Sequence, residues 1–312
     1  MSALQTLLLP TRSTIAAMTN GILASSTLAA MTQLSDVMSV LELEPNGDGA
    51  FLARHLDEGH GVVFGGQLLA QAVVAAARTV PDKEVLSIHN VFARGASVDE
   101  PLTVTVETIQ SGRAFAGVTV TTSQSRGACT RAQVLLHDPD PDLIRHAGPA
   151  PKVAGPEAVE AHPGGGWWDV RVVDGVDIAD PDAVGPAELR VWSRMDGAPD
   201  DRVTSQALLA YASDGFLIGT AMRPHAGVGQ SMAHRTISTT VVTQTITFHE
   251  PFHAGSWLLL DQRSSYAGRG RSHGTADVFT EDGALVASFA QDNVIRAFPE
   301  GRAPGTGEAA KY

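Results

Sequence analysis

The pattern of apolar and polar positions first singles out a segment near residue 60. No charged residue occurs from Gly61 to Ala77 in "GVVFGGQLLAQAVVAAA", and Arg78 follows directly. A helix that is apolar on all sides is a buried helix, and a basic residue at its C-terminal end suits the helix dipole. The pattern therefore predicts a buried helix that begins near the glycine pair of "FGGQ" at 64–67.

Four strand-like runs follow this helix. They are rich in Val and Thr, often alternate apolar with polar residues, and are separated in part by the turn signals "SGR" and "SRG". We predict strands at 85–93, 102–110, 114–124 and 128–137. Such runs are typical of an antiparallel sheet that packs one face on a helix.

The same order of elements then occurs a second time. Residues 203–222 are uncharged apart from Asp214 and align with the first helix, with Gln206 opposite Gln67 and Ala75 opposite Asp214. The stretch "GRSHGTADV" at 270–278 repeats "GRAFAGVTV" at 112–120. A second set of strands is predicted at 237–248, 256–265, 271–279 and 284–297.

Two copies of a helix followed by four strands indicate the α+β fold known as a double hotdog, in which each buried helix is wrapped by an antiparallel sheet. The two sheets can join edge to edge, and a ligand is expected between the two helices. The predicted organisation is a flexible N-terminal extension, an N-terminal hotdog, a Pro/Gly-rich connector, a C-terminal hotdog and a flexible tail, at residues 1–34, 35–137, 138–187, 188–298 and 299–312. The connector is expected to hold an extended piece near "WWDVRVV" and to pack on the body through Trp167 and Trp168.

Composition narrows the classes of function. The chain of 312 residues carries a net charge of −12, which argues against nucleic acid and anionic membrane as partners. Cys129 is the only cysteine, so no intrachain disulfide and no cysteine-based metal site is expected, and a cytoplasmic location fits. The histidines lack close metal-ligand spacing, so we expect no metal. A homo-oligomer is compatible with the sequence.

The first 34 residues carry one charge, Arg12, and many Ser and Thr residues. This composition argues against a membrane span, and the segment lacks the layout of a signal peptide. It is interpreted as a flexible extension, or as the product of an upstream start codon with Met18 or Met31 as the true start.

Asp214 is the first candidate for chemistry, because a carboxylate is rarely left in apolar surroundings without a partner or a use. It occurs in only one of the two aligned helices. Two interpretations stay open from the local sequence. Asp214 is either a general base for a water molecule, or a solvated residue at a helix end with Gly215 as the residue after the cap.

Other polar residues are candidates with equally ordinary alternatives. Gln291 in the last strand can hold a water or polarise a carbonyl, or can be a solvated strand residue. Thr243 offers a hydroxyl in a strand where threonine is common anyway. Backbone N–H groups at Gly65, Gly66 and Gln67 can grip a substrate oxygen at the helix N-terminus, or form an ordinary loop.

A group of arginines in the second half has two interpretations as well. Arg263, Arg269 and Arg271, with Arg235 nearby in sequence, can meet the phosphates of a nucleotide-bearing thioester, or can belong to a solvated hairpin. There is no Gly-x-Ser-x-Gly motif, and Cys129 lacks the flanking residues of a nucleophile. Covalent catalysis by Ser or Cys is therefore not expected.

Several motifs, in matching order and spacing over roughly residues 35–298, resemble the acyl-CoA thioesterase II family. They are "VVFGGQLLAQAVVAA", "APDDRV", "YASDGFL", "FHEPF" and "SSYAGRGRSHGTADVFTEDGALVASFAQDNVIR". The resemblance implies a double hotdog fold, hydrolysis of acyl-CoA to free fatty acid and CoA, and no cofactor. In that family an Asp, a Ser or Thr and a Gln orient a hydrolytic water.

Asp214 matches the family's Asp and Gln291 its Gln, but Val241 stands where the family has its hydroxyl. Thr243, two residues along and expected on the same face, is the predicted substitute, whereas Thr240 would serve only if a bulge shifted the register. This departure keeps a second hypothesis open, a non-catalytic acyl-CoA or lipid-binding double hotdog protein.

Overall fold

The protein is built around one twelve-stranded sheet in which every neighbouring pair of strands is antiparallel. The computed structural model describes residues 32–57, 61–162 and 166–298. The predicted C-terminal tail, and all but the last three residues of the predicted N-terminal extension, lie outside the described residues. In this sheet the strands of the first half of the chain lie on one side and those of the second half on the other.

The first half holds two helices and six strands. Helix α1 precedes the short strands β1 and β2, and the buried helix α2 precedes the four strands that the sequence predicts. Their bounds are α1 Leu34–Leu41, β1 Glu44–Pro45, β2 Ala50–Ala53, α2 Gly65–Thr79, β3 Glu84–Phe92, β4 Leu102–Ser111, β5 Phe115–Gln124 and β6 Gly127–His137.

The second half repeats this plan after the connector. Two strands come before its helix, and four come after it. The bounds are β7 Trp168–Val172, β8 Glu188–Met195, α3 Arg202–Ser213, α4 Leu217–Met222, β9 Ile237–Phe248, β10 Leu258–Gly268, β11 Arg271–Thr280 and β12 Leu285–Ala297. The eight strands predicted after the helices agree with these bounds to within three residues.

The sheet topology confirms the predicted double hotdog. From the outer part of the sheet toward its centre, the strands run in the order β4-β5-β6-β3 in the first half and β10-β11-β12-β9 in the second half. The halves join where β3 pairs with β9, with Ile88 opposite Ile246. Both side chains are fully buried. The sequence pattern did not predict β2 and β8, the strand that comes before the central helix in each half, although "ELRVWSRM" alternates as a strand does.

Small side chains let the two central helices pack closely. Helix α2 is buried from Gly66 to Ala77, and its alanines leave room for α3 against it. Arg78, at the end of α2, donates to the carbonyl of Leu43. Helix α3 begins at Asp201, whose carboxylate accepts the N–H of Thr204 at 2.8 Å, as an N-cap residue does. Among the described residues, the helices are all too short or too polar to cross a membrane.

The connector packs on the second half. Trp168, in β7, donates from Nε1 to the hydroxyl of Ser193 in β8 at 2.8 Å. The guanidinium groups of Arg171 and Arg194 lie 4.7 and 4.4 Å from the ring centroid of Trp257, a cation–π arrangement that links β7 and β8 to the residue just before β10. The connector therefore extends the sheet rather than standing apart from it.

Candidate active site

Asp214 lies at a break in the second central helix. Helix α3 ends at Ser213, Asp214 is its C-cap with φ −80° and ψ −5°, and α4 begins three residues later at Leu217. The sequence-based alternative of a helix end at this point is therefore correct for the backbone. The side chain nevertheless is half-buried and turned to the protein.

Two groups from distant parts of the chain contact the Asp214 carboxylate. Its Oδ2 accepts the backbone N–H of Gly66 at 3.0 Å, and its Oδ1 accepts a hydrogen bond from Gln291 Nε2 at 3.2 Å. The first half, the second central helix and the last strand thus meet at one carboxylate. A solvated turn residue would not gather such partners.

The glycine pair at the start of α2 is required by this contact. A Cβ on Gly65 would lie 2.7 Å from Asp214 Oδ2, and one on Gly66 would lie 2.3 Å from the carbonyl oxygen of Tyr211. Both distances are shorter than real Cβ contacts allow. The absence of side chains lets the positive end of the helix reach the carboxylate.

Gln67 has a different task from the two glycines. Its Oε1 accepts the N–H of Leu56 at 3.0 Å and its Nε2 donates to the carbonyl of Arg54 at 3.4 Å, while its own N–H donates to Phe64. These bonds hold the chain after β2 against α2. Gln67, predicted as part of a substrate-binding loop, thus uses its backbone N–H and its side-chain amide in bonds within the protein.

A row of buried amides lies across the sheet beneath Asp214. Gln291 on β12 pairs with Gln244 on β9, which in turn pairs with Asn90 on β3. Gln244 Nε2 donates to the hydroxyl of Ser213 at 2.9 Å, next to Asp214. Within the described residues, Gln291 Oε1, Gln244 Oε1 and Asn90 Nδ2 are buried without a hydrogen-bond partner. Unsatisfied buried polar atoms at one place indicate that a polar ligand or water binds there.

Thr243, the predicted hydroxyl of the site, does not belong to this row. A bulge at Val242 pairs Asn293 with Val241 but Asp292 with Thr243. Val241 therefore shares the inner face with Gln291 and Asn293, and Thr243 lies on the outer face. Its hydroxyl donates to Asp292 Oδ2 at 2.8 Å.

The outer face carries its own polar cluster. His273 Nδ1 lies 2.9 Å from Asp292 Oδ1, opposite the contact that Thr243 makes. Burial alone would raise the pKa of the Asp292 carboxyl, but the hydrogen bonds from His273 and Thr243 hold that pKa below its usual value. The sheet separates this cluster from Asp214.

Aromatic side chains surround the carboxylate on the connector side. The ring of Tyr211 contacts Phe64 and Trp168, with centroids 5.0 and 6.2 Å apart, and Trp168 also contacts Phe216 at 6.0 Å. Tyr211 and Phe216 flank Asp214 in the sequence. This apolar wall strengthens electrostatic interactions at the carboxylate by keeping the local dielectric low.

The equivalent place in the first half is apolar. Laying 112–120 on 270–278 relates the neighbouring strands of the two halves. Gly274, Gln291 and Gln244 are neighbours on β11, β12 and β9 in the second half. The corresponding neighbours on β5, β6 and β3 in the first half are Ala116, Leu136 and Val85. Because the fold does not need polar groups at this level, those of the second half serve another purpose.

Gln244 is the member of the site that sequence reasoning missed. The two-residue period of a strand places Gln244 on the same face as Ile246 and Phe248, which are buried. A polar amide on a strand face that is otherwise apolar was the signal that the sequence offered. The expected hydroxyl drew the prediction to Thr243 instead.

Two family models match the chain. The model described as the acyl-CoA thioesterase N-terminal domain matches residues 53–137, and the model of the C-terminal domain matches residues 156–295. Together they cover most of both halves and part of the connector.

Individual proteins are similar over nearly their whole length. Acyl-CoA thioesterase 2 of Haemophilus influenzae is 27% identical over 84% of this chain and 98% of its own. Acyl-coenzyme A thioesterase 8 of Homo sapiens is 28% identical over 85% and 90%. The solved structure of an acyl-CoA thioesterase II from Mycobacterium marinum superposes with a TM-score of 0.71 at 29% identity, covering 86% of this chain and 99% of that one.

Proposed function

This chain belongs to the acyl-CoA thioesterase II family, and we propose that it hydrolyses acyl-CoA thioesters to free fatty acid and CoA with a water activated at Asp214. The single observation that carries the proposal is the carboxylate held between Gly66 N–H and Gln291 Nε2. Its apolar counterpart in the first half supports a functional reason for it. The reaction uses no cofactor.

Asp214 serves as the general base. It takes a proton from the water while the water oxygen attacks the carbonyl carbon of the thioester. Gln291 Oε1 and Gln244 Oε1, both buried acceptors without a partner among the described residues, orient the water by accepting its second hydrogen.

The start of α2 stabilises the transition state. Negative charge develops on the carbonyl oxygen as the water attacks, and the positive end of a helix placed at that charge lowers its energy. The glycines at 65 and 66 allow close approach there. The tetrahedral intermediate then collapses, the C–S bond breaks, and the proton held by Asp214 passes to the CoA thiolate.

Replacing the base tests this proposal. Asp214→Asn keeps the size of the side chain but removes the base, so we expect the kcat for acyl-CoA hydrolysis to fall about 10²- to 10⁴-fold. Release of free CoA is measured with a thiol reagent. Asp292→Asn is the matched control, because this carboxylate lies beside Gln291 but on the outer face. Equal turnover by Asp214→Asn and wild type would overturn the assignment of the base.

A second candidate function rests on Val241. An apolar residue stands on the inner face where the family has a hydroxyl, and loss of one water ligand is compatible with a protein that only binds acyl-CoA or lipid. Calorimetric binding of acyl-CoA with no release of free CoA over hours would select this function.

We also propose a role in fatty-acid metabolism and a cytoplasmic location. The relatives named above act on acyl-CoA by name, and Cys129 is buried and free, as suits a reducing compartment. Microscopy of a tagged chain tests the location, and light scattering tests whether the chain forms a homo-oligomer.

A further inference from the structure

Four arginines gather at one end of the second half of the sheet. Arg269 and Arg271 belong to the turn between β10 and β11, and Arg296 lies beside it, since the N–H of Ile295 donates to the carbonyl of Gly270. Arg235 is close to Arg296 as well, because it comes two residues before β9 and the first residue of β9 pairs with Ala297. We refer to Arg235, Arg269, Arg271 and Arg296 as the basic corner.

The four arginines of the basic corner form no ion pair among the described residues, although the chain carries a net charge of −12. Within the same residues, the only carboxylate whose pKa the charge of Arg271 is seen to lower is that of Asp292. Arg271 lies over the ring of Tyr266 at 5.6 Å. All four arginines are exposed. Exposed arginines without an ion pair in an acidic protein form a local site that attracts anions.

The turn itself holds a strained residue. Arg269 has φ 56° and Gly270 has φ 75°, so both central residues of this two-residue turn are left-handed. That geometry favours Asn-Gly, and an arginine adopts it at a cost. Strained backbone of this kind clusters at functional sites.

A cavity of about 220 Å³ opens next to the basic corner. Arg271 and His225 line it together with apolar residues of α4, the loop that follows α4, β10 and β12: Ala221, Met222, Val228, Ala267 and Ile295. An apolar cavity beside exposed arginines fits a ligand that joins a flat apolar ring to phosphates.

The distance from this cavity to Asp214 fits the arm of CoA. Ile295 is four residues from Gln291 on the same strand, or roughly 13 Å. The pantetheine arm between sulfur and diphosphate has about as many backbone atoms as four amino-acid residues, so it spans at most roughly 14 Å. With the thioester at Asp214, a CoA arm that runs along β12 is long enough to bring the nucleotide end of CoA to the cavity.

The strand between the two places offers a partner for the arm. Asn293 lies on the inner face of β12 between Gln291 and Ile295, and its Oδ1 is buried without a hydrogen-bond partner among the described residues. The pantetheine arm carries amide N–H groups. An unsatisfied amide oxygen along its path is suited to accept one of them.

We propose that the basic corner and its cavity bind the 3′-phosphorylated ADP end of CoA, an inference that rests on the proposed function. His225 and the apolar residues contact the nucleotide at the cavity, and the four arginines of the basic corner contact its phosphates. The acyl group then extends from Asp214 away from this end of the sheet.

The test compares two substrates that share one acyl group. One is the acyl-CoA, and the other is the acyl thioester of N-acetylcysteamine, which lacks the nucleotide. In Arg269→Gln/Arg271→Gln we expect the KM for acyl-CoA to rise about 10-fold or more with kcat unchanged, because charge-assisted bonds to phosphate are lost. The kcat/KM for the N-acetylcysteamine thioester should stay the same.

Arg113→Gln is the matched control, because Arg113 is the counterpart of Arg271 in the repeat and lies in the corresponding hairpin of the first half. Its KM for acyl-CoA should not change. Thermal unfolding of each variant shows that it is folded. An unchanged KM in the double variant, or an equal loss with both substrates, would overturn the proposal; the second result would assign the cavity to the acyl group.

Binding of adenosine 3′,5′-bisphosphate separates this inference from the proposed function. If wild type hydrolyses neither thioester, the proposed function fails, and calorimetry with this nucleotide still tests the basic corner. We expect wild type to bind it and the double variant to bind it about 10-fold more weakly. Equal affinities would contradict the inference whatever the hydrolysis assay shows.

Discussion

At the scale of the residue, Asp214 combines two properties that the sequence offered as alternatives. It caps the end of α3, and it also meets Gly66 and Gln291 through its carboxylate. The break in the helix is what turns the side chain toward the first half. Its counterpart Ala75 lies within the unbroken helix α2 and has no carboxylate.

The choice between Thr243 and Gln244 follows from which face each residue occupies. Gln244 is fully buried beside Gln291, and Thr243 bonds to Asp292 across the sheet. We expect Gln244→Leu to lower kcat about 10- to 1000-fold, because a polar group that orients the water is lost. The measurement is steady-state hydrolysis of one acyl-CoA.

Thr243→Val serves as the control for Gln244→Leu, since the two positions are adjacent on β9. Its kcat should stay within about threefold of wild type, because single outer-face changes rarely reach a buried site. If Thr243→Val instead produced the larger loss, Thr243 and not Gln244 would be the third member of the site.

At the scale of the element, the bulge in β9 decides the composition of the site. It adds Val242 between two pairs, so that residues 241 and 244 share the inner face although they are three apart. Without the bulge the strict two-residue period would apply, as the sequence-based prediction assumed. A single extra residue thus moves Thr243 out of the site and leaves Val241 in it.

The contacts of Asp292 join β9, β11 and β12 and predict a dependence of stability on pH. Its pKa is lowered in the folded protein relative to the ordinary value of 3.8. A carboxyl with a lowered folded pKa stabilises the protein fully above its unfolded pKa, and this contribution is lost as the pH falls through the folded pKa.

We therefore expect Asp292→Asn to lower the free energy of unfolding above about pH 5, and the difference from wild type to shrink as the pH falls below 3.8. Urea unfolding between pH 3 and pH 6 measures this difference. A difference that stayed constant over the whole range would show that the carboxylate makes no favourable contact in the folded state.

At the scale of the whole molecule, the junction of β3 and β9 makes one sheet from two repeats. Ile88 and Ile246 meet there, both fully buried, while α2 packs against α3 beneath them. The site also spans the halves, since Gly66 and Asp214 come from different repeats. Neither repeat holds a complete site.

The shared core predicts that the halves unfold together. Ile88→Ala removes buried methyl groups from the first half and should lower the free energy of unfolding by about 2–5 kcal/mol. All four tryptophans lie between residues 167 and 257, outside the first half. Their fluorescence transition should nevertheless shift to lower urea concentration.

Ser87→Ala is the control, because Ser87 is at the same junction but only half-buried. It should leave the transition almost unchanged. A tryptophan transition that did not move in Ile88→Ala would mean that the second half unfolds independently of the first.

Local periodicity and the motifs predicted the repeat, the eight strands after the helices and the buried helix α2, and they made Asp214 and Gln291 candidates for the site. The break in the helix at Asp214, the contact of its carboxylate with the glycine pair of the other half, and the position of Gln244 rather than Thr243 on the inner face were not predictable in this way. A bulge and a contact between residues 148 positions apart leave no periodic trace in the chain. They arise when two repeats share one sheet, so their physical cause is packing and not local preference.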